Sequence, residues 1–114
     1  MDSSTFQTCL EDQFKRVSEV LSAKAGEYAD DDDRLHNFTI AASLQGVTPK
    51  QALAGMMAKH TVSIYDMALS EDSFSLAQWD EKLTDHINYL ILLRALVLDE
   101  QKLKRRNTHA EENN

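Results

Sequence analysis

Acidic side chains are the residues of this sequence with the clearest capacity for chemistry. Glu81 and Asp85 are four residues apart in a segment of helical periodicity, so their carboxylates share one face of a helix. Glu27 and four aspartates at 30–33 form a second acidic segment. Mg²⁺ prefers oxygen ligands and needs only one or two protein carboxylates when phosphate and water complete its coordination. These residues therefore predict a magnesium site for a phosphorylated ligand; exposed ion pairs and a solvated loop are the alternative interpretation.

A second set of polar residues has the chemistry to contact such a ligand. Lys59 and His60 are adjacent, and His60 interrupts the apolar stripe of its helical segment. A lysine suits phosphate, and a histidine changes charge near neutral pH. Arg34 and Asn37 follow the acidic segment directly. The simpler interpretation makes His60 a hydrogen-bonded core residue and the other three ordinary exposed side chains.

Composition limits the class of protein and of partner. The 114 residues suffice for one domain with a modest core. A formal net charge of -7 disfavours binding to nucleic acid polymers, which requires a basic face. Cys9 is the single cysteine, so an internal disulfide is impossible and a reducing cytoplasm is the expected setting. The longest apolar run, YLILL, is far shorter than the roughly 20 residues that cross a bilayer, so no membrane partner is expected.

Apolar periodicity and cap residues predict four helices and no strand. Gly46 follows the second helix, Thr48 and Pro49 begin the third, and Ser75 begins the fourth. The predicted helices cover approximately 4–28, 33–45, 49–69 and 75–104. The polar residues 105–114 are expected to form a disordered tail. The sequence thus predicts an all-α protein with one domain at 1–104.

The last predicted helix is the one around which the others are organised. Ser75 and Gln78 have capping-box spacing, and Phe74 and Trp79 have the spacing of a hydrophobic staple. Residues 87–98 are apolar almost all round, which is typical of a helix buried on more than one side. We expect a four-helix-bundle-like domain in which this helix is central. Its acidic first half would face a cleft, and its apolar second half would face a second layer or another subunit of a homo-oligomer.

Three segments carry a resemblance to known proteins: KAGEY at 24–28, DRLHNF at 33–38 and WDEKLTDHINYL at 79–90. They resemble a group of small phage-encoded proteins. More distantly, they resemble the nucleotide modification associated domain and the all-α nucleoside triphosphate pyrophosphohydrolases of the MazG and dimeric dUTPase type. Those families are dimeric or tetrameric helical bundles, in which acidic pairs on two helices hold Mg²⁺ against a nucleoside triphosphate.

The resemblance implies roles for individual residues. Glu27, Glu81 and Asp85 would be metal ligands and catalytic residues, and Asp30 would be a fourth ligand. The family's later acidic pair is spaced by three residues, whereas Glu81 and Asp85 are four apart. The family's earlier helix carries the pattern Glu-x-x-Glu. In this sequence Glu27 and Asp30 have the same spacing, with Asp in place of the second Glu. The candidate ligand contacts beyond the metal site are not implied by the resemblance, and the phosphate contacts among them are proposed from side-chain charge; they are Tyr28, Arg34, Asn37, Lys59 and His60.

Three functions follow from these observations. The first is a cytoplasmic, MazG-like, Mg²⁺-dependent nucleotide pyrophosphohydrolase. The second is a non-enzymatic sponge of a phage, which would hold a host defence signalling nucleotide in the host cytoplasm without cutting it. The third is an oligomeric interaction module without a ligand.

Overall fold

The protein consists of helices joined by short connections. The computed structural model describes the backbone of residues 1–28 and 34–112 and the side chains of residues 1–22 and 34–108. The helices are α1 (Ser3–Tyr28), α2 (His36–Gln45), α3 (Pro49–Leu69) and α4 (Leu76–Glu112). Within those ranges there is no strand, so the all-α prediction is confirmed. No helix in the described part of the chain is long and apolar enough to span a membrane.

Cap residues fix the starts of α3 and α4 as predicted. Thr48 Oγ1 accepts a 3.2 Å bond from the Gln51 backbone N–H, and the Gln51 side chain accepts a 3.0 Å bond from the Thr48 N–H. Ser75 and Gln78 form the same reciprocal pair at α4. Each pair satisfies two backbone donors that helix geometry leaves without a partner.

The first two helices begin at residues other than the predicted ones. Asp2, and not Ser4, caps α1, because its Oδ1 accepts a 2.8 Å bond from the Thr5 N–H. α2 begins at His36 after a turn at residues 34–35, and the predicted start at Asp33 lies outside the described residues. Gly46 ends α2 with φ 68°, the left-handed conformation that glycine adopts without strain.

α4 is longer than its sequence indicated. Residues 105–112, which polar composition had assigned to a disordered tail, continue the helix to Glu112. The segment contains no Gly or Pro and is rich in residues of good helix propensity. Upstream of it, Lys104 and Glu100 form a one-turn ion pair of 3.2 Å. A prediction from polarity alone therefore ended α4 at residue 104, eight residues before its observed end.

α3 and α4 each pack against two other helices. α4 packs against α3 and α1, and α3 packs against α4 and α2. Leu53 of α3 is completely buried, and Leu96 is the buried apolar residue of α4. The Lys50 ammonium lies 2.8 Å from a Glu100 carboxylate oxygen and joins the start of α3 to α4.

The apolar stripe of α1 is covered along only part of its length. Val17 is 5% exposed where α1 meets α4, whereas Phe14 is 64% exposed and Phe6 is 59% exposed. The helix predicted for this segment is therefore present, but the apolar side chains of its first half remain exposed to solvent in a single chain.

Candidate functional site

One face of α4 carries four polar side chains, of which two are buried. Glu81 is exposed and Asp85, one turn later, is half-buried. Thr84 and Asn88, also one turn apart, are 4% and 5% exposed. A polar face that continues into the packed interior is unusual, because buried polar groups are costly unless they have hydrogen-bond partners.

Glu81 and Asp85 line a groove of about 580 Å³ between α1 and the start of α4. We call it the carboxylate groove. Its polar lining residues are Arg16, Glu19, Asp80, Glu81, Thr84 and Asp85, and its apolar ones are Val20, Leu76 and Ala77. Four of these side chains are carboxylates, so the groove concentrates negative charge and oxygen ligands on one side of α4.

Arg16 provides positive charge at this groove. Its guanidinium lies 3.1 Å from Asp12 on α1 and 3.5 Å from Asp80 on α4. The hydrogen bond to Asp12 and the nearby charge of Asp80 raise the pKa of Arg16 above its ordinary value. Arg16 thus links the two helices and partly offsets the carboxylates.

Thr84 and Asn88 differ in how their polar atoms are satisfied. The Gln13 side-chain amide donates a 3.0 Å hydrogen bond to Thr84 Oγ1. The side-chain oxygen and nitrogen of Asn88 are both buried, and neither has a hydrogen-bond partner in the described part of the chain. Leaving such a group unsatisfied costs on the order of 1–3 kcal/mol. A ligand or partner that reaches Asn88 would recover that energy.

His60 and Lys59 line a different recess, formed by α3, α4 and the end of α2. We call this opening of about 400 Å³ the His60 recess; its lining residues are Gln45, Ala52, Gly55, Met56, Lys59, His60 and Tyr89. The rings of His60 and Tyr89 are in contact, with centroids 4.9 Å apart. His60 Nδ1 is buried without a hydrogen-bond partner among the described residues. The recess thus combines an aromatic surface, an ammonium group and an unused imidazole nitrogen.

Arg34 belongs to a third groove, of about 480 Å³, between the second half of α1 and the apolar part of α4. Its guanidinium donates a 3.0 Å hydrogen bond to the Leu21 carbonyl. Asp99 supplies a carboxylate on the opposite wall of this groove. Asn37 is exposed on the first turn of α2. Arg34 therefore has a structural contact besides any ligand contact.

The predicted site residues thus divide among three places. Glu81 and Asp85 share the carboxylate groove, Lys59 and His60 share the His60 recess, and Arg34 lies in the third groove. The predictions for Glu27, Tyr28 and Asp30 lie outside the described side chains.

Sequence reasoning missed several residues of these sites. Asn88 shares a helical line with Glu81 and Asp85, and a polar residue within the largely apolar segment 87–98 is the pattern of a buried polar group. Tyr89 was counted only as part of that run. For Arg16 and Thr84 no sequence pattern distinguished them from ordinary helix-surface residues.

The two α4 carboxylates fit Mg²⁺ only in part. Among the described side chains, no three His, Cys, Asp or Glu residues are grouped so that they could hold a metal ion. Glu81 and Asp85 alone supply few ligands, but Mg²⁺ commonly takes its remaining oxygens from phosphate and water. The arrangement therefore fits a metal ion that arrives together with a phosphorylated ligand better than one held permanently by the protein.

No protein-family model, no curated protein and no solved structure matches this chain.

Proposed function

We propose that the protein is a nucleotide-handling enzyme, a MazG-like, Mg²⁺-dependent nucleotide pyrophosphohydrolase, with the carboxylate groove as its active site. The observation that carries the proposal is the pair of carboxylates Glu81 and Asp85, which lie one turn apart on α4 and both line the carboxylate groove. Exposed carboxylates alone would be consistent with an ordinary surface. The half-buried position of Asp85, and the buried Asn88 amide on the same face of α4, which has no hydrogen-bond partner in the described part of the chain, support a functional role.

Each group has a role in this proposal. Glu81 and Asp85 would hold Mg²⁺ through oxygen atoms, and Glu27 and Asp30 are the further ligands that the family resemblance implies. The metal ion would neutralise phosphate charge and lower the pKa of a bound water. Asn88 both donates and accepts hydrogen bonds, so its amide suits the oxygen atoms and hydroxyls of a nucleotide. Since two carboxylates hold Mg²⁺ weakly, we expect metal and nucleotide to bind together.

A specific observation favours a second candidate function, nucleotide binding without cleavage. The His60 recess offers the Tyr89 ring, the Lys59 ammonium and His60 Nδ1, and none of its described lining residues is a carboxylate. Such groups bind an anionic, aromatic ligand without requiring a metal ion. A protein that uses this recess would hold a signalling nucleotide as a sponge, as a phage counter-defence factor would.

The finer features of the fold belong to the same proposal. We place the four helices in a bundle-like domain that assembles into a homo-oligomer, the arrangement of the proteins that the sequence resembles. We place the protein in the cytoplasm, where nucleoside triphosphates are present, and in the host cell if the chain is phage-encoded.

The test incubates purified protein with Mg²⁺ and a panel of nucleoside triphosphates and cyclic signalling nucleotides. Mass spectrometry then identifies the products in solution and the nucleotides that heating releases from the protein. We expect nucleoside monophosphate and pyrophosphate from the wild type. Glu81→Gln and Asp85→Asn should abolish both products while circular dichroism shows unchanged helix content. Glu71→Gln, an exposed substitution in the turn before α4, is the matched control and should retain activity.

The other outcomes distinguish the two candidate functions. Intact nucleotide recovered only from the protein would reject hydrolysis and support the sponge. In that case Lys59→Met and His60→Leu should reduce the amount recovered. If neither products nor bound nucleotide were found, both nucleotide functions would be rejected, and the interaction module would remain.

A further inference from the structure

The surface of α1 that one chain leaves uncovered is apolar and continuous. Phe6, Leu10 and Phe14 are spaced by four residues and lie along one face of the helix; we call them the α1 stripe. Their exposed fractions are 59%, 36% and 64%. Large apolar side chains exposed singly are ordinary, but a contiguous row of them marks an interaction surface.

The position of α1 explains why the stripe is uncovered. α1 packs mainly against α4, and the interhelical bonds described for it are those of Gln13 and Arg16. Because α1 has 26 residues, it is about 39 Å long at 1.5 Å per residue. Phe6 and Leu10 precede the first residue of α1 that is bonded to α4, and the side chain of Phe14 is exposed although Phe14 is next to Gln13. An amphipathic helix gains stability when another surface covers its apolar face.

The exposed area of the chain is larger than that of a compact monomer of the same mass. The chain exposes 8763 Å². A compact monomer of 12.9 kDa exposes about 6,300 Å², so the excess is about 2,500 Å². Obligate dimers bury about 1,000–2,500 Å² per subunit. The Cα radius of gyration is 17.9 Å, where about 13 Å is typical of a compact chain of this length. Both quantities exceed those of a compact monomer, and they include the exposed last part of α4 as well as the α1 stripe.

We infer that a second copy of this chain covers the α1 stripe and that the protein is an obligate homo-oligomer assembled through α1. A symmetric pair uses the same patch twice, so each copy covers the other's stripe. This inference rests on the homo-oligomer of the proposed function and adds the surface through which it assembles, and its tests do not require nucleotide binding or cleavage.

The first test measures the mass of the full-length protein in solution by sedimentation equilibrium. The wild type should have twice the chain mass of 12.9 kDa or a higher multiple. The double variant Phe6→Ser, Phe14→Ser should shift the species toward 12.9 kDa. Leu44→Ser is the matched control, because Leu44 is 82% exposed but lies on α2, away from the stripe, and its substitution should leave the mass unchanged.

A second measurement decides the matter if the double variant fails to fold. Cys9 is exposed, is the only cysteine and immediately precedes Leu10, so a spin label on the wild-type protein reports directly on the α1 region. Pairing through α1 predicts one defined Cys9-to-Cys9 distance, shorter than the helix length of about 39 Å. A wild-type mass of 12.9 kDa would overturn the inference. A folded double variant that keeps the wild-type mass would overturn it too, as would an oligomer without a defined distance between the labels.

Discussion

Gln13 of α1 and Thr84 of α4 are joined by a hydrogen bond of 3.0 Å, donated by the glutamine amide to the threonine hydroxyl. Thr84 is 4% exposed, so this bond satisfies a polar group inside the α1–α4 contact. It lies beside the carboxylate groove, of which Thr84 forms part. The relative position of α1 and α4, and therefore the shape of the groove, depends on this pair.

Thr84→Val should lower the free energy of unfolding by about 1 kcal/mol, since it removes the acceptor of one hydrogen bond at nearly constant volume. Chemical denaturation at matched protein concentration measures this change. Thr39→Val is the control, because the Thr39 hydroxyl bonds the Leu35 carbonyl within a local turn and joins no second helix. Equal effects of the two substitutions would contradict a special role for the Gln13–Thr84 pair.

Leu53 is the most buried large side chain of the described part of the chain, with no exposed surface. Leu53→Ala should lower the free energy of unfolding by about 2–5 kcal/mol, because it loses apolar burial and leaves a cavity. Leu44→Ala removes the same atoms from a side chain that is 82% exposed, and it should change stability by less than about 0.5 kcal/mol. Urea denaturation of both variants makes the comparison; similar losses would mean that α3 is packed differently.

Glu100 links stability to pH through its ion pairs. Hydrogen bonds from Lys50 and from Lys104 hold the pKa of Glu100 below its ordinary value. The carboxylate therefore stabilises the fold above the ordinary glutamate pKa, and this contribution is lost as the pH falls through the lower pKa of the folded state. The effect is small because the group is exposed to solvent screening.

Glu100→Gln should accordingly reduce thermal stability at neutral pH and make stability fall less steeply on acidification than in the wild type. Melting temperatures from neutral to acidic pH test this. Glu71→Gln, in the exposed turn before α4, should leave the slope unchanged. An unaltered slope in Glu100→Gln would show that the Lys50–Glu100 contact contributes nothing in solution.

Helix positions were predictable from this sequence where short-range rules decide them. The reciprocal pairs at Thr48 and Ser75 and the left-handed Gly46 each depend on residues within one turn. The start of α1 was less predictable, because Asp2 and Ser4 are both capping residues with suitable spacing. The end of α4 was predicted too early, because the polar composition of residues 105–112 is typical of disorder. Their helix propensity is good, and α4 continues through them to Glu112.

The candidate site was less predictable because it depends on contacts between distant parts of the chain. Periodicity shows that Glu81 and Asp85 share a face, but it does not show that Arg16 lies across the groove from them. It also leaves open which polar side chain of a helix becomes buried, as Asn88 does. The α1 stripe illustrates the same limit, because an amphipathic pattern identifies an apolar face without identifying the surface that covers it.

Asn88 provides the most informative test of the site. Its amide is buried without a partner in the described part of the chain, and an unsatisfied amide costs about 1–3 kcal/mol. Asn88→Leu has a similar shape and removes the polar atoms, so it should raise the free energy of unfolding of the ligand-free protein by about 1 kcal/mol or more. Asn88 does not itself line the carboxylate groove. On the proposal that a bound nucleotide reaches its amide from the groove, the same substitution should also weaken nucleotide binding. Asn107→Leu, on the exposed last part of α4, is the control and should change neither quantity.

A gain in stability combined with a loss of binding would distinguish Asn88 from a core residue. Residues kept for folding lose stability when altered, whereas residues kept for function can be replaced with a gain in stability. Chemical denaturation measures the first quantity, and isothermal titration with Mg²⁺ and a nucleoside triphosphate measures the second. Destabilisation by Asn88→Leu would mean that the amide has a structural partner in solution. Unchanged binding would remove Asn88 from the proposed site and leave Glu81 and Asp85 as its α4 residues.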